Sequence, residues 1–201
     1  LRGLPNVATS TRDRVLQAAH ELNYTVDPQI SRIARGRKLV AILQPLSDAW
    51  FYYRTSSVAE RNLVDVGYEV VRYSITDPEY LERLLAQLIK GRQVDGIITI
   101  SLPIHSDLVT QLCDEKIPMV SIEHPIDQCP TISIQNTDAA ELATRHLLNL
   151  GHRRIGLIAG FDQDPFQLLI PEARREGYRR ALHKYGVEFR PKYEAAGNFS
   201  Y

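Results

Sequence analysis

The first candidates for chemistry are three adjacent polar residues, His105, Ser106 and Asp107. These are the residue types of a hydrolytic triad, in which a base removes the proton of a hydroxyl nucleophile and a carboxylate orients the base. A triad is assembled in space from distant positions, so three neighbours in one loop cannot face one another as required. We therefore interpret Ser106 as the N-cap of a helix that begins at Asp107, and we predict that the protein is not an enzyme.

Two other kinds of reactive site lack their usual sequence patterns. No G-x-G-x-x-G follows the first predicted strand and no G-x-x-x-x-G-K-[ST] occurs, so the usual loops that bind nucleotide phosphates are absent from the sequence. Cys113 and Cys129 lie sixteen positions apart, with no C-x-x-C and no accompanying histidine pair. This spacing predicts neither a zinc site nor a disulfide framework. We expect no cofactor, no metal and a reducing, cytoplasmic environment.

Candidates for ligand binding lie where predicted strands end. The run "PLSDAWFYY" places four aromatic side chains, Trp50 to Tyr53, after a strand. Their faces could stack on a sugar ring or a base, or two of the four could cover the edge of the sheet. His124, between Glu123 and Pro125 at another strand end, is placed either for a hydrogen bond to a ligand or for a plain role in a loop.

The elements that hold these residues alternate along the chain after Lys38. Strands are predicted over 39–43, 68–73, 94–100, 117–122 and 154–159, with a short extended piece over 131–134. Helices are predicted over 56–66, 78–90, 107–115 and 138–150. Short β-rich runs separated by amphipathic helices that end at Gly or Pro indicate βαβ units, so the predicted fold class is α/β with a doubly wound parallel sheet.

In such sheets ligands bind beyond the carboxyl ends of the strands, which selects the loops 45–52, 74–77, 101–106, 123–125, 135–138 and 160–164. The stretch "NLGHRRIGLIAG" (149–160) falls at the opposite end, because its polar residues precede a strand. We expect Gly151 to close a helix in a left-handed turn and His152 and Arg153 to bond its last carbonyls. Ile155, Leu157 and Ile158 are expected to enter the sheet, and Gly160 to mark a crossover between lobes.

The charge distribution is asymmetric although the net charge is zero. Residues 1–38 hold seven Arg or Lys against three Asp or Glu, so they carry +4 and the remainder carries −4. A basic end on an acidic body indicates a nucleic-acid-binding appendage. No apolar run approaches the roughly 20 residues needed to cross a bilayer, so no membrane partner is expected.

Within the basic end, "STRD" (10–13) predicts the start of an amphipathic helix that ends near Asn23 and Tyr24. The stretch "DPQISRIARGRK" (27–38) then joins this helix to the first strand. It is either a solvated linker or a short helix that lays Arg side chains along phosphates and presents an isoleucine to a groove. Because the chain begins with Leu1 and not with Met, we expect it to be a fragment.

Six segments resemble, in order and spacing, the lactose-repressor (LacI/GalR) family of bacterial transcription regulators: "TRDRVLQAAHELNYTVDPQISRIARGRK", "LVAILQPLSDAWFYY", "QVDGIITI", "IPMVSIEHP", "ATRHLLNLGHRRIGLIAG" and "ARREGYRRAL". The resemblance implies a helix-turn-helix headpiece, a hinge helix, and an effector-binding core of two α/β subdomains like those of periplasmic sugar-binding proteins. It divides the chain into a headpiece end (1–26), a hinge and linker (27–38), a first subdomain (39–160) and the start of a second (161–201). The recognition helices and most of the second subdomain would then be missing.

The resemblance also implies roles for individual residues. In the headpiece and hinge, contacts with DNA fall to Tyr24, Ile30, Arg32, Ile33, Arg35 and Arg37. Ile33 matches the position of a leucine that wedges into the minor groove, and Ile30 stands where the family has a small residue. In the core, the resemblance and the strand-end rule together give the effector-binding residues Ser47, Asp48, Trp50, Phe51, Ser101, His124, Asn136, Asp138 and Arg174. Arg174 matches a family arginine that binds sugar hydroxyls or a carboxylate, which suits its forked guanidinium.

The implied function is an effector-responsive, homodimeric repressor of a catabolic operon, with double-stranded operator DNA and a sugar-like small molecule as partners. A periplasmic solute-binding protein is the main alternative, because it shares the two-lobed body. The basic residues 1–38 oppose that alternative. A doubly wound enzyme is the second alternative, and it lacks a nucleophile with a base or a phosphate-binding loop.

Overall fold

The computed structural model describes residues 9–21, 38–160, 165–166 and 168–197. It contains helices α1 (Thr9–Glu21), α2 (Trp50–Asp65), α3 (Pro78–Lys90), α4 (Ser106–Asp114), α5 (Asn136–Asn149) and α6 (Leu169–Lys184). Its strands are β1 (Leu39–Pro45), β2 (Glu69–Ile75), β3 (Gly96–Ile100), β4 (Met119–Ile122), β5 (Thr131–Ile132), β6 (Leu157–Ala159) and β7 (Glu194–Ala196). A short 3-10 helix, Pro191–Tyr193, precedes β7.

The main sheet has five parallel strands in the order β2-β1-β3-β4-β5. Strand β1 lies near its centre, and in its register Ala41 opposes Val71 on one side and Ile97 on the other. Buried parallel strands need apolar residues on both faces, and the run from Leu39 to Leu43 provides them. The prediction of an α/β fold with a doubly wound parallel sheet is confirmed.

The two faces of the sheet bury different helices. Ala41, Leu43 and Ile97 face one core, whose other side is formed by leucines of α3 and by α4, with the fully buried side chains Leu85 and Leu112. Ile42 and Ile100 face the other core, where Tyr52 of α2 covers them. Alternate residues of each strand therefore enter opposite cores, as the two-residue period of a strand requires.

Helix α3 has the predicted bounds, because its sequence carries a signal at each end. The Asp77 carboxylate caps the amino end by accepting a hydrogen bond from the Tyr80 amide at 2.8 Å, and Pro78 occupies the first turn. Three other helix starts were predicted wrongly, and one of them is that of α5, which begins at Asn136 and not at Asp138. Helix α2 begins at Trp50 and not at Ser56, so the aromatic run is helical. Helix α4 begins at Ser106, and extended His105 is its N-cap without a side-chain hydrogen bond, so Ser106 is not the cap.

The prediction that residues 154–159 form a fifth strand of the main sheet is wrong. Strand β6 pairs instead with β7 in a separate two-stranded parallel sheet, and the fifth main strand is β5. Helix α5 packs along α6, where an added Cβ on Gly177 would lie 2.0 Å from the carbonyl oxygen of Thr137. An apolar run looks the same in either sheet, and its partner strand comes more than thirty residues later.

The turn after α5 has the predicted geometry. Gly151 has φ +90°, the left-handed conformation, and the Arg153 guanidinium donates to the carbonyl oxygen of Leu148 at 3.0 Å. His152 contributes through its backbone amide, which donates to Leu147. Ile155 is buried, but Ile158 in β6 is 79% exposed and does not enter a core among the described residues. Within the described ranges, no helix is long and apolar enough to cross a membrane.

Candidate functional site

A cavity of about 390 Å3 lies beyond the carboxyl ends of β1, β3 and β4, where the strand-end rule for open α/β sheets expects a ligand. The loop before α2 and the first turn of α2 form one wall, and the residues leading into α6 and its first turns form the opposite wall. The lining residues are Ala49, Trp50, Phe51, Tyr52, Ser101, Glu123, Ile134, Leu168, Ile170 and Arg174.

Two of these residues, Ser101 and Glu123, follow adjacent strands and share an uncommon backbone conformation. Ser101 has φ 53° and Glu123 has φ 68°, both in the left-handed region that non-glycine residues rarely occupy. The sheet ladder holds them there, since Ser101 donates its amide to Ile122 and Glu123 donates its amide to Ile132, each at 2.8 Å. Such conformations are characteristic of binding sites, because they turn a side chain out of the sheet at its edge.

Ser101 lines this cavity, and its buried hydroxyl has an unused hydrogen-bonding capacity. Its residue is 1% exposed, and its Oγ has no hydrogen-bond partner among the described residues. An unpaired buried hydroxyl costs free energy, roughly 1–3 kcal/mol on mutational scales, unless something pairs with it. A polar group of a ligand seated in the cavity would remove that cost.

A chain of hydrogen bonds joins three charged or polar residues at the opposite wall. Asn136 donates its amide to the Glu123 carboxylate at 2.9 Å, and Arg174 donates its Nε to the Asn136 carbonyl oxygen at 3.0 Å. The other oxygen of Glu123 accepts from the backbone amide of Ile134 at 2.8 Å. This chain fixes the orientation of Arg174 through Nε, and its two terminal nitrogens have no protein partner among the described residues.

The close packing of α5 and α6 brings Arg174 to Asn136. Gly177, one turn after Arg174, lies against the backbone of Thr137 and Glu141, with no room for a side chain. The α5 and α6 backbones can therefore approach each other at this level. Glycine at position 177 thus has a structural reason, which is to let Arg174 reach the start of α5.

The aromatic residues divide between the two roles that the sequence left open. Tyr52 is buried beneath the sheet and Phe51 is half-buried beside it, with ring centroids 5.5 Å apart and an edge-on geometry. Trp50 lines the cavity but is 66% exposed, and its ring meets Phe51 edge-on at 6.4 Å. Trp50 is therefore the aromatic face available to a ligand, whereas Tyr52 closes the core.

The site has the chemistry to bind an amphipathic small molecule. Its lining combines the apolar side chains of Trp50, Ile134 and Ile170 with the polar groups of Ser101 and Arg174. Among the described residues, no group of three His, Cys, Asp or Glu side chains could hold a metal ion. Ser106 and Asp107 are both exposed in the first turn of α4, away from this cavity.

The structure brings together only some of the residues that the sequence selected. Trp50, Phe51, Ser101 and Arg174 line the cavity, and Asn136 joins it through its hydrogen bonds. Ser47 does not line it; its Oγ accepts from the Ala49 amide at 3.2 Å and so shapes the loop, while Asp48 is exposed. Asp138 is directed to Arg180 on α6, with 3.9 Å between their charged atoms.

His124 lies apart from this group, in a neighbouring cavity of about 590 Å3 that it shares with Pro103, His105 and Phe166. Burial lowers the pKa of His124 below its usual range, so its imidazole is neutral at pH 7. Phe166 lines this neighbouring cavity, whereas Leu168 lines the cavity that contains Ser101 and Arg174. The proposed DNA-binding residues, Tyr24, Ile30, Arg32, Ile33, Arg35 and Arg37, lie outside the described residues.

Sequence reasoning missed Glu123 and the apolar residues Ile134, Leu168 and Ile170. Glu123 lies in a loop that the strand-end rule selects, but the ligand-binding role was assigned to the neighbouring His124. A carboxylate directly after a strand, thirteen positions before an asparagine that shortly precedes a predicted helix, was the available signal. The apolar lining carries no such signal, because any loop leucine or isoleucine could serve.

A parallel α/β sheet with a cavity at its carboxyl edge is typical of doubly wound ligand-binding domains. The chain belongs to the family described as periplasmic binding proteins and sugar binding domain of LacI family, whose model matches residues 36–196. This family match agrees with the resemblance read from the sequence.

Similar proteins include bacterial transcription regulators. The chain is 29% identical over 199 residues to the HTH-type transcriptional repressor CytR of Escherichia coli K12, covering 97% of this chain and 57% of that protein. It is 29% identical over 206 residues to Catabolite control protein A of Priestia megaterium, covering 100% of this chain and 60% of that protein. The chain thus spans somewhat more than half the length of these relatives.

Solved structures agree with this placement. A transcriptional regulator CelR-cellobiose complex has 26% sequence identity and a TM-score of 0.65, covering 99% of this chain and 60% of that chain. A putative ribose operon repressor from Burkholderia thailandensis has 27% identity and a TM-score of 0.65, covering 79% of this chain and 60% of that chain. The shared fold therefore extends over most of the described sequence.

Proposed function

We propose that this chain is the effector-sensing part of a DNA-binding transcriptional regulator, a repressor of a catabolic operon. The observation that carries the proposal is the cavity at the carboxyl edge of the sheet, with the unpaired Ser101 hydroxyl on one side and the oriented Arg174 guanidinium on the other. The relatives named above are repressors or control proteins, and they supply the link from binding to transcription.

The proposed effector is a sugar or a related catabolite. A sugar ring has an apolar face that stacks on an aromatic ring such as Trp50, and it has hydroxyls that can pair with Ser101 and Arg174. The network in the wall, Glu123 with Asn136 and Arg174, holds one negative and one positive side chain. Because these two charges offset each other, the cavity favours an uncharged polyhydroxylated ligand over one that needs a strongly cationic site.

Two groups of residues are proposed to contact the partners. The effector would be bound by Trp50, Phe51, Ser101, Asn136 and Arg174, with Glu123 added. The DNA would be bound by the basic end of the chain, through the residues in 24–37 that the family resemblance selects, as part of a cytoplasmic homodimer on a palindromic operator. Ser47, Asp48 and His124 are kept as residues of the surrounding loops, and Asp138 as a residue of the first turn of α5.

The proposed mechanism uses the separation of the two sheets. Ser101 and Glu123 belong to the main sheet, whereas Arg174 belongs to the unit that contains β6, β7, α5 and α6. We place the boundary between the two units near residue 135, ahead of α5, and not at residue 160. An effector that contacts both sides would favour one relative orientation, and a coupling of about 1–3 kcal/mol would change DNA affinity roughly 5- to 150-fold.

The experiment that tests this function is a filter-retention assay of the intact protein on DNA from its own promoter region, with and without candidate effectors. A regulator retains a site there, and one ligand of a sugar panel changes that retention. A solute-binding protein would bind a sugar and retain no DNA at any salt concentration. If the protein retains DNA but no ligand changes that retention, it binds DNA without the proposed control by an effector.

A further inference from the structure

A second cavity, of about 540 Å3, lies at the amino ends of β1, β3 and β4, opposite the effector site. Three cationic side chains line it: Lys38 before β1, Arg92 after α3 and Lys116 after α4. Residues far apart in the sequence thus supply positive charge to one end of the sheet. None of these three residues lines the proposed effector cavity.

These three cations are not neutralised within the described part of the chain. No carboxylate of the described residues lies within ion-pair distance of Lys38, Arg92 or Lys116. Asp95 also lines the cavity, but one of its carboxylate oxygens accepts the backbone amide of Leu39 at 2.8 Å. The lining therefore has three positive side chains against one negative side chain that is already hydrogen-bonded.

The backbone holds two of the cations in an unfavourable conformation. Arg92 has φ 42° and Lys116 has φ 54°, at the two turns that follow α3 and α4, where glycine or asparagine is usual. Their amides donate to Ile89 and Cys113, each at 3.0 Å, which fixes both turns. Left-handed arginine and lysine at equivalent positions of two successive βα units are strained residues whose side chains have no ion-pair partner among the described residues.

We propose that this cavity is a phosphate-binding site and that its ligand is the sugar-phosphate backbone of DNA, so that the core adds contacts to those of the basic end. The proposal rests on the DNA-binding function proposed above. Lys38 directly follows the segment 27–37, and 32–38 holds four arginine or lysine residues, so the first cation of the cavity continues the basic segment in sequence. Cationic side chains that contact phosphates position a protein on DNA without reading its sequence.

The test compares the salt dependence of DNA binding by the intact protein and by two charge-matched variants. The cavity variant is Lys38→Gln with Arg92→Asn and Lys116→Asn, since asparagine tolerates the left-handed conformation. The control is Arg54→Gln with Arg83→Gln and Arg145→Gln, which removes three exposed charges that do not line the cavity. Affinity for a duplex of arbitrary sequence is measured over a series of KCl concentrations.

Each phosphate that a cationic side chain neutralises adds about 0.9 to the slope of log K against log salt concentration. The cavity variant should therefore have a shallower slope than the control, by about 0.9 for each phosphate it no longer neutralises and by up to about 2.7 for three. Equal slopes for the two variants overturn the proposal while leaving the regulator function intact. If the parent binds no DNA, the proposed function itself fails.

A second arm distinguishes DNA phosphate from a free phosphate. Inorganic pyrophosphate is added at constant ionic strength, and the melting temperatures of the parent and the cavity variant are compared. Stabilisation of the parent alone, together with equal salt slopes, would assign the cavity to a small phosphorylated molecule and would overturn the assignment to DNA. Unchanged melting temperatures, together with a shallower slope, are the expected result.

Discussion

Arg174 on α6 donates its Nε to the side-chain oxygen of Asn136 on α5 at 3.0 Å, although 38 positions separate them in the sequence. Asn136 in turn donates to Glu123 at the end of the main sheet, so a single chain of hydrogen bonds crosses from one sheet unit to the other. Glu123 and Arg174, at the two ends of this chain of hydrogen bonds, both line the proposed effector cavity. The arginine is thus oriented before any ligand arrives, which reduces the entropy lost on binding.

The first prediction concerns the free end of this guanidinium. Arg174→Ala should weaken effector binding about 10- to 150-fold, because hydrogen bonds to a charged group contribute about 1.5–3 kcal/mol. Isothermal titration calorimetry with an identified effector measures the change. Arg190→Ala, which removes an exposed arginine that does not line the cavity, is the matched control. Equal dissociation constants for the parent and Arg174→Ala would remove Arg174 from the site.

The second prediction concerns the contact that lets α5 and α6 meet. Gly177→Ala should destabilise the protein by about 3 kcal/mol or more, because its Cβ would lie 2.0 Å from the Thr137 carbonyl oxygen and the helices would have to separate. Gly186→Ala is the control, since Gly186 has φ +64° but nothing within 4 Å of its added Cβ. It should cost only about 1–2 kcal/mol from the left-handed backbone. Urea denaturation measures both variants. An equal loss of stability in the two variants would contradict the tight helix contact assigned to Gly177.

A third prediction concerns a buried hydroxyl beneath the small sheet. Tyr178 is 2% exposed, and its OH donates to the carbonyl oxygen of Ile155 at 2.8 Å. Tyr178→Phe should lower the free energy of unfolding by about 1–3 kcal/mol, because a buried acceptor is left unpaired. Tyr185→Phe, whose hydroxyl bonds to Asn149 at an exposed position, should change it far less. Urea denaturation measures both variants. If Tyr178→Phe leaves the free energy of unfolding unchanged, this hydrogen bond does not stabilise the protein.

The fourth prediction concerns pH. The hydrogen bond from Lys184 at 2.6 Å, with the charges of Lys184 and Arg180, lowers the pKa of Glu141 below its usual value of 4.5. A carboxyl whose folded pKa is depressed adds stability above its unfolded pKa and loses it as the pH falls through the folded pKa. The stability difference between the parent and Glu141→Gln should therefore be full at pH 7 and should shrink below about pH 4.5.

Denaturation curves collected from pH 7 down to pH 3 measure this difference. Asp138→Asn is a suitable control, because Asp138 is exposed and its carboxylate comes no closer than 3.9 Å to the Arg180 guanidinium. A difference for Glu141→Gln that stays constant across the range would contradict the assigned pKa shift.

The sequence was sufficient to predict the first four strands of the main sheet, because each of them carries a local signal. The leucines of α3 at helical spacing, Asp77 before it and Gly91 after it determine both ends of that helix. The carboxyl-edge rule then selected the loops of Ser101 and Glu123. What failed depended on long-range partners. No local sequence signal indicates that β6 pairs with β7. Likewise, no local signal indicates that His124 lines a separate cavity while its neighbour Glu123 lines the site.

Helix starts also depended on more than local pattern. The loop selected over 45–52 includes Trp50, Phe51 and Tyr52, and aromatic residues have modest helix propensity. In the structure, burial of Tyr52 against Ile42 and Ile100 draws that run into the first turn of α2. The burial of one side chain thus outweighed propensity and moved Trp50 and Phe51 to the wall of the cavity.

The most direct test of the central claim uses Trp50, the only tryptophan of the 201-residue chain, which lines the effector cavity. Its fluorescence is followed while single sugars are titrated into the protein, and the titration is repeated with Arg174→Ala and Ser101→Ala. The account predicts that one sugar changes the Trp50 emission in a saturable way, and that both variants require at least about tenfold more of it. A sugar that binds the parent and both variants with equal affinity, or that binds without changing the Trp50 emission, would contradict the assignment of this cavity as the effector site.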